Sequence, residues 1–451
     1  MWGIANSNYA GNMGMALNPA SMVASPYSWE FHLVSGDLFL ENNYIYIRKK
    51  SSILAKSVNG EGVAPDRISD FYTKNNKNGF AQVNLKGPSF ILNRGNFAVG
   101  LHTGFRMALS ANRIPYHFAK FMYEGFDYEP QHGINYTSGP FSAVLLQWAE
   151  VGISLGGVLK EDGDNLFTGG FTLKYLAPMN AAFIRLNHID YTVPNSLLLV
   201  VNNIDGSYGH TGFDADAGIG SQLFSKKGNG VAADLGVQYY HGRLERAYDC
   251  GKRSDDFKKY RYKIGFSAID LGFVHMGKKA RVFSFDDAFT AWPGIDTIKF
   301  ENLADFDTSL SNQFTSNPFT SQTAEGFNII LPAAASLQFD YCLMPRWYVN
   351  ASLIQRLPLG KNRILRPNQV SITPRYETRS FEVALPISSY EFTIPRVGLA
   401  LRYKFLTLGT DKLGAFTGLW DIKGIDIYFG IKISTCGKSK KRVKGEDCFA
   451  Y

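Results

Sequence analysis

Apolar and polar side chains alternate without a break near the end of the chain: Ile425, Ile427, Phe429, Ile431 and Ile433 take one face, Asp426, Tyr428, Gly430, Lys432 and Ser434 the other. A period of two marks a strand whose faces live in different surroundings. Phe97, Val99, Leu101, Phe105, Met107 and Leu109 repeat the rhythm against His102, Gly104 and Arg106. Val231, Ala233, Leu235, Val237 and Tyr239 do so against Asp234, Gly236 and Gln238. The rule predicts about fourteen strands, near 28–47, 81–92, 97–110, 144–160, 166–176, 213–225, 230–241, 259–275, 280–290, 329–343, 347–357, 392–405, 413–420 and 425–435. Slips of the period at Ala268–Ile269 and Ile394–Pro395 predict bulges.

The joints between these strands are lopsided. Tight polar turns are expected at Asn93–Asn96, Glu161–Asn165, Lys226–Gly230, Gly277–Lys279 and Met344–Arg346. Long, aromatic-rich connections are expected near 48–80, 111–143, 177–212, 242–258, 291–328 and 358–391, all at the opposite end. A hairpin sheet in water has no use for that asymmetry, whereas an outer-membrane barrel has short periplasmic turns and long extracellular loops. The expected fold is all-β: a single transmembrane antiparallel β-barrel over residues 28–435, with a lead at 1–27 and a basic tail at 436–451. An even strand count brings both termini to the periplasmic side. A soluble sandwich or propeller with an aromatic core is the competing fold.

The 451 residues contain no Pro/Gly/Ser linker that would divide them into domains. No run of about 18 apolar residues occurs, which excludes a spanning helix. A mean hydropathy of -0.13 suits a wall apolar on one face only. The 34 Phe and 24 Tyr suit rings at two membrane boundaries. A net charge of +8 is modest for this length, and no basic stripe outside the tail points to a nucleic-acid partner. Met1–Ala5 carry no secretory signal, so the numbering is expected to begin at a processed or engineered start.

By alternation the lumen receives His102, Arg106, Glu150, Lys174, Asp214, Asp216, Asp234, Arg261, Lys263, Asp340, Arg356, Arg402, Lys404, Asp426 and Lys432. Buried charges must be wet or paired, so the set implies either a water-filled bore or a plug stitched to the wall. Its basic excess mildly favours anions. Two outer loops carry apolar residues: Phe118, Phe121 and Met122 in one, Phe183, Leu198 and Leu199 in the next. A greasy mouth for a ligand, a docking face for a partner and mutual burial over the barrel top all remain open.

Cys436 and Cys448 flank a polar stretch and are placed to close a disulfide ring worth about 3 kcal/mol, while no cysteine spacing suits a metal. The run Lys438–Lys444 suits anionic headgroups or a solvated tail. Dinucleotide, phosphate-loop and calcium-loop signatures are missing, and His210 with Asp214 and Asp216 is the one cluster of hydrolase type. A non-enzymatic protein without cofactor is expected.

The lead runs Gly3 to Gly11 through small residues and ends in Asn18-Pro19-Ala20-Ser21-Met22. Small residues let it fold compactly against a curved wall, and Pro19 fixes a turn without needing a donor. A floppy periplasmic tail is the plain alternative. Set directly before a barrel of this strand count, the lead resembles the N-terminal hatch of the long-chain fatty-acid transporter family of outer-membrane barrels. It is similar, too, to the leads of uncharacterised Bacteroidota barrels related to the type IX secretion carrier barrel. The resemblance implies that Asn18, Pro19 and Ala20 belong to a gate within the lumen and that the outer loops capture a hydrophobic ligand. The charged lumen departs from the transporter pattern. Two functions follow: a barrel that passes or binds a hydrophobic or amphiphilic ligand, or a plugged accessory subunit of an outer-membrane complex for protein insertion, secretion or nutrient import. Outer-membrane lipids and other outer-membrane or periplasmic proteins are the implied partners.

Overall fold

In a computed structural model the described residues are 2–48, 68–71, 73–212, 224–242, 260–295, 302–318, 320–393, 395–417 and 421–435. They form one closed antiparallel barrel of fourteen strands. In chain order these are β1 Trp29–Asn42, β2 Lys77–Lys86 with Ser89–Asn93, β3 Phe97–Ile114, β4 Phe141–Asp162, β5 Asn165–Asn195, β6 Leu198–Thr211 with Gly228–His241, and β7 Tyr262–Met276 with Ala280–Pro293. They continue as β8 Phe327–Ile330 with Ala334–Met344, β9 Trp347–Arg356, β10 Gln369–Glu377, β11 Phe381–Ala384 with Ile387–Tyr390, β12 Arg396–Val397 with Leu399–Tyr403, β13 Leu406–Thr410 and β14 Gly424–Thr435. Each strand pairs with its neighbours in sequence, and β14 closes on β1 from Trp29↔Thr435 to Glu41↔Gly424.

The two faces of the wall differ as the alternation requires. Ile153 is 54% exposed and Leu173 55%, while their neighbours Ser154 and Thr172 are at 0% and 1%. Large apolar side chains left open all round the exterior, among them Leu101, Phe266, Leu337, Ile372, Leu408 and Phe429, belong in hydrocarbon, so this is a transmembrane barrel. Among the described residues no helix is long and apolar enough to cross a membrane.

Several expected elements fall elsewhere. Lys226–Gly230 and Gly277–Lys279 are not hairpins. β6 and β7 are both interrupted at the same height, where Gly212 donates to Lys279 O at 2.8 Å and Lys278 to Lys227 O at 3.0 Å, and both strands then continue in their original direction. The stretch 177–212 is accordingly strand, because β5 and β6 run on as a pair beyond that break. His241, the last residue of β6, lies beside Asn165 at the end of the tight turns, and residues 243–258 of the expected connection lie outside the described residues. Half of 358–391 is β10 and β11, and within 413–420 the segment Gly414–Thr417 is a helical turn. Short turns at 378–380 and 404–405 complete the turn end. At Ala268–Ile269 the ladder does slip: Ala233 faces Leu271 and Leu235 faces Ala268, leaving Asp270 in a bulge with φ 56°. Ile394, Asp214, Asp216, Cys436 and Cys448 lie outside the described residues.

Candidate functional site: a chamber between two closures

Residues 2–27 fill the turn-end half of the lumen. Two short helices, α1 Trp2–Ala5 and α2 Asn12–Met15, lead into a single 3₁₀ turn, Pro19–Met22. Asn18 caps that turn by accepting from Ala20 N, and its amide donates to Val237 O at 3.2 Å, Phe266 O at 3.3 Å and Gln338 Oε1 at 3.1 Å. Pro19 and Ala20 are buried against the wall, where a Cβ on Gly170 would lie 2.5 Å from Ala20 N. The wall reciprocates. Ser267 donates to Leu17 O at 2.6 Å, Asn93 to Met22 O and Val23 O, and Lys432 to Tyr9 O.

The wall's charges around this segment are paired. Arg375 grips Asp340 with both terminal nitrogens at 2.6 and 2.7 Å and gives its Nε to Glu377 at 3.1 Å. Arg402 pairs with Glu382 at 2.9 Å, which also accepts from Ser7 at 2.8 Å. Lys432 pairs with Glu30 at 3.1 Å.

Higher up, the bulge in β7 aims Asp270 into the lumen as a hub. Arg106 binds it in a fork at 2.8 and 2.9 Å, Lys174 at 2.9 Å and Arg366 at 2.9 Å. Asp234 binds Lys174 at 2.7 Å and accepts from Asp270 N; Glu150 accepts from Trp148 Nε1 at 3.0 Å and approaches Arg106 at 3.5 Å. Arg366 comes from the loop-end connection 357–368, which dips into the barrel. Its Ile364 joins an apolar layer with Leu146, Trp148, Leu176 and Val274, and Leu365 packs with Phe39, Phe80 and Tyr390. Leu365 N donates to Ser110 at 3.0 Å.

Between the N-terminal segment and this dipping loop lies a chamber of ≈ 210 Å³. Trp2, Met13, Met15, Leu17, Phe39, Leu85, Ile269 and Ile354 give it an apolar side. Its charged side carries Lys86, Arg106, Lys174 and Arg366 against Asp37, Glu150, Asp234, Asp270 and Asp426. Five acids thus face four lysines and arginines in the chamber.

The profile of a family of unknown function, DUF5723, matches residues 19–411. The chain belongs to that family. No curated protein sequence matches it. Among solved structures it is similar to a TodX monoaromatic hydrocarbon channel carrying the deltaS2S3 mutation (11% identity, 95% of each chain covered, TM-score 0.43). It is also similar to the toluene transporter TbuX of Ralstonia pickettii (10%, 94% of each chain, 0.41) and to a FadL homologue of Pseudomonas aeruginosa (11%, 96% of each chain, 0.32).

In this DUF5723 barrel His102, Arg106, Glu150, Lys174, Asp234 and Asp426 line the chamber, and Lys263, Asp340, Arg402 and Lys432 surround the N-terminal segment. Lys404 does not face the lumen: with φ 50° it forms the turn after β12 and is exposed, because the alternation had run past the end of the strand. Arg261 is likewise exposed. Phe183, Leu198 and Leu199 are strand residues, not loop residues; Phe183 is buried in the apolar layer of the lumen. Phe118 and Phe121 lie on α3 Tyr116–Glu124 and pack on Phe141 at 4.9 Å and Tyr191 at 5.8 Å, while Met122 points out. His210 is held by Asp307 at 2.9 Å beneath a helix, α4 Leu303–Thr315. Asp270 and Arg366 escaped the alternation rule, the first because the bulge inverts its face, the second because it lies outside any strand; the slip at Ala268 was the signal for Asp270.

Proposed function

We propose that this barrel sits in a bacterial outer membrane, loop end outward and both termini periplasmic, and passes or holds a hydrophobic or amphiphilic ligand without enzymatic chemistry. Residues 2–27, with Asn18, Pro19 and Ala20 at their docking point, act as the hatch, and the connection 357–368 acts as the outer closure. The observation that supports this reading is the chamber: an apolar side faces a charged side, and the closures above and below it are held by hydrogen bonds and ion pairs that can break and reform.

Planar-bilayer conductance tests it. The full chain should be nearly silent, and a chain lacking residues 2–27 and carrying Arg366→Gln, so that neither closure is held, should conduct steadily. Silence from the shortened, folded barrel would remove the hatch and with it the carrier. A second reading, a plugged scaffold in a larger complex, draws on the dense stitching by Arg375, Arg402 and Lys432. Native mass spectrometry separates the two: a lone barrel with a small molecule supports the carrier, and stoichiometric protein company with an empty chamber supports the scaffold.

A further inference from the structure

We propose that the chamber selects a small neutral ligand, a single ring or short chain bearing hydroxyl or amide groups on one edge, and disfavours carboxylates. The inference rests on the carrier reading above.

Unpartnered polar residues in the chamber's lining define the edge. Asn12 is 1% exposed, lines the chamber from α2, and both its Nδ2 and its Oδ1 lack a partner. Asp37 Oδ1, His102 Nδ1 and Arg366 Nε, on residues that also line the chamber, are buried and unpartnered as well. Such atoms are unfavourable when buried alone, so a fitting ligand must donate and accept at once. Hydroxyls and amides do both. A carboxylate only accepts, which would leave Asn12 Oδ1 unmet.

Charge points the same way. Five carboxylates line the chamber against four lysines and arginines, and three of those cations are committed to Asp270. The fourth, Lys86, donates to Asn12 O at 3.3 Å. An added anion would enter a lining that already holds one more acidic side chain than lysines and arginines. Size sets the other limit. An apolar cavity of about 150 Å³ holds benzene, so ≈ 210 Å³ suits one ring with short substituents and excludes a long acyl chain. The ring would rest on Trp2, Met13, Met15 and Phe39, with its hydroxyls toward Asn12.

Calorimetric titration of the full chain in detergent with 4-hydroxybenzyl alcohol, benzoate and toluene tests the assignment. The alcohol should bind at least about tenfold tighter than either comparison, the ratio expected when one buried polar group goes unmatched. Asn12→Leu should erase that preference by weakening the alcohol and strengthening toluene, and Asn12→Ser should restore part of it; unchanged heat-modifiability certifies that each barrel is folded. Equal binding of all three probes, or tightest binding of benzoate, would overturn the inference and leave the carrier standing. Binding of none would remove the chamber as a ligand site and both readings with it.

Discussion

Arg366 Nη2 lies 2.9 Å from Asp270 Oδ2, so a residue of a loop-end connection is clasped by a residue of a wall bulge. Asp270 holds Arg106 and Lys174 at the same time. Asp270→Asn leaves three buried cations sharing Glu150 and Asp234, and losing one partner of a buried pair is destabilising by about 3–5 kcal/mol. Urea unfolding in lipid vesicles should register a loss of that order. Arg366→Gln should lose less, because Asp270 keeps two cations. A silent Asp270→Asn would mean that the cluster is not formed.

Leu101 and Ile427 face outward on β3 and β14. Arg at either position should destabilise the barrel by about 2–4 kcal/mol at the bilayer midplane and by far less near an interface. Heat-modifiability and urea midpoints untouched by both substitutions would contradict the assignment of the wall's faces.

Gly170 meets the N-terminal segment at backbone atoms, Ala20 N and Pro19 C both 2.5 Å from an added Cβ, which cannot swing aside as a side chain would. Gly170→Val should therefore dislodge residues 2–27 and expose them to protease while the wall stays folded. Gly157→Ala, whose Cβ would meet only Asn96 O at an ordinary 3.7 Å, is the matched control and should change nothing.

His117, on α3 beyond the end of β3, stacks on Tyr136 at 4.8 Å and shares a 2.7 Å hydrogen bond with Ser138. Burial holds its pKa below the ordinary 6.5. The folded loop thus prefers neutral imidazole: its contribution is complete above the unfolded value and is lost as pH falls through that range. Amide protection across residues 115–140, taken relative to the base-catalysed intrinsic exchange rate at each pH, should be greater at pH 7.5 than at pH 5, and His117→Gln should flatten the difference. A pH-independent pattern in the unaltered chain would refute the assignment.

The wall was legible wherever one strand ran straight, as at Ile425–Ile433 and Phe97–Leu109, because odd and even positions there meet different solvents. It was illegible where the chain bends. Pro374 and Pro386 made β10 and β11 read as loop, although Pro374 pairs with Val349 inside a ladder. Pro178, at a register slip opposite Trp148, masked the continuity of β5. Two turn-like clusters proved to be breaks within β6 and β7 because their hydrogen bonds join those two strands at one height, a relation that no local pattern contains. For the chamber, alternation supplied Arg106, Lys174 and Asp234 but not Asp270, whose face the bulge inverts, nor Arg366, which arrives from outside the sheet.

β5 is 31 residues long and β13 only 5. Since about 9–11 residues suffice to cross the hydrocarbon, the rim is a one-sided crest: β5, β6 and β7 rise far above the β12–β13 flank. Whatever approaches from that side meets the crest first. In the proposed orientation, a label or antibody epitope placed at its tip, between Asn195 and Leu198, would report surface display at a distance from the barrel's contents.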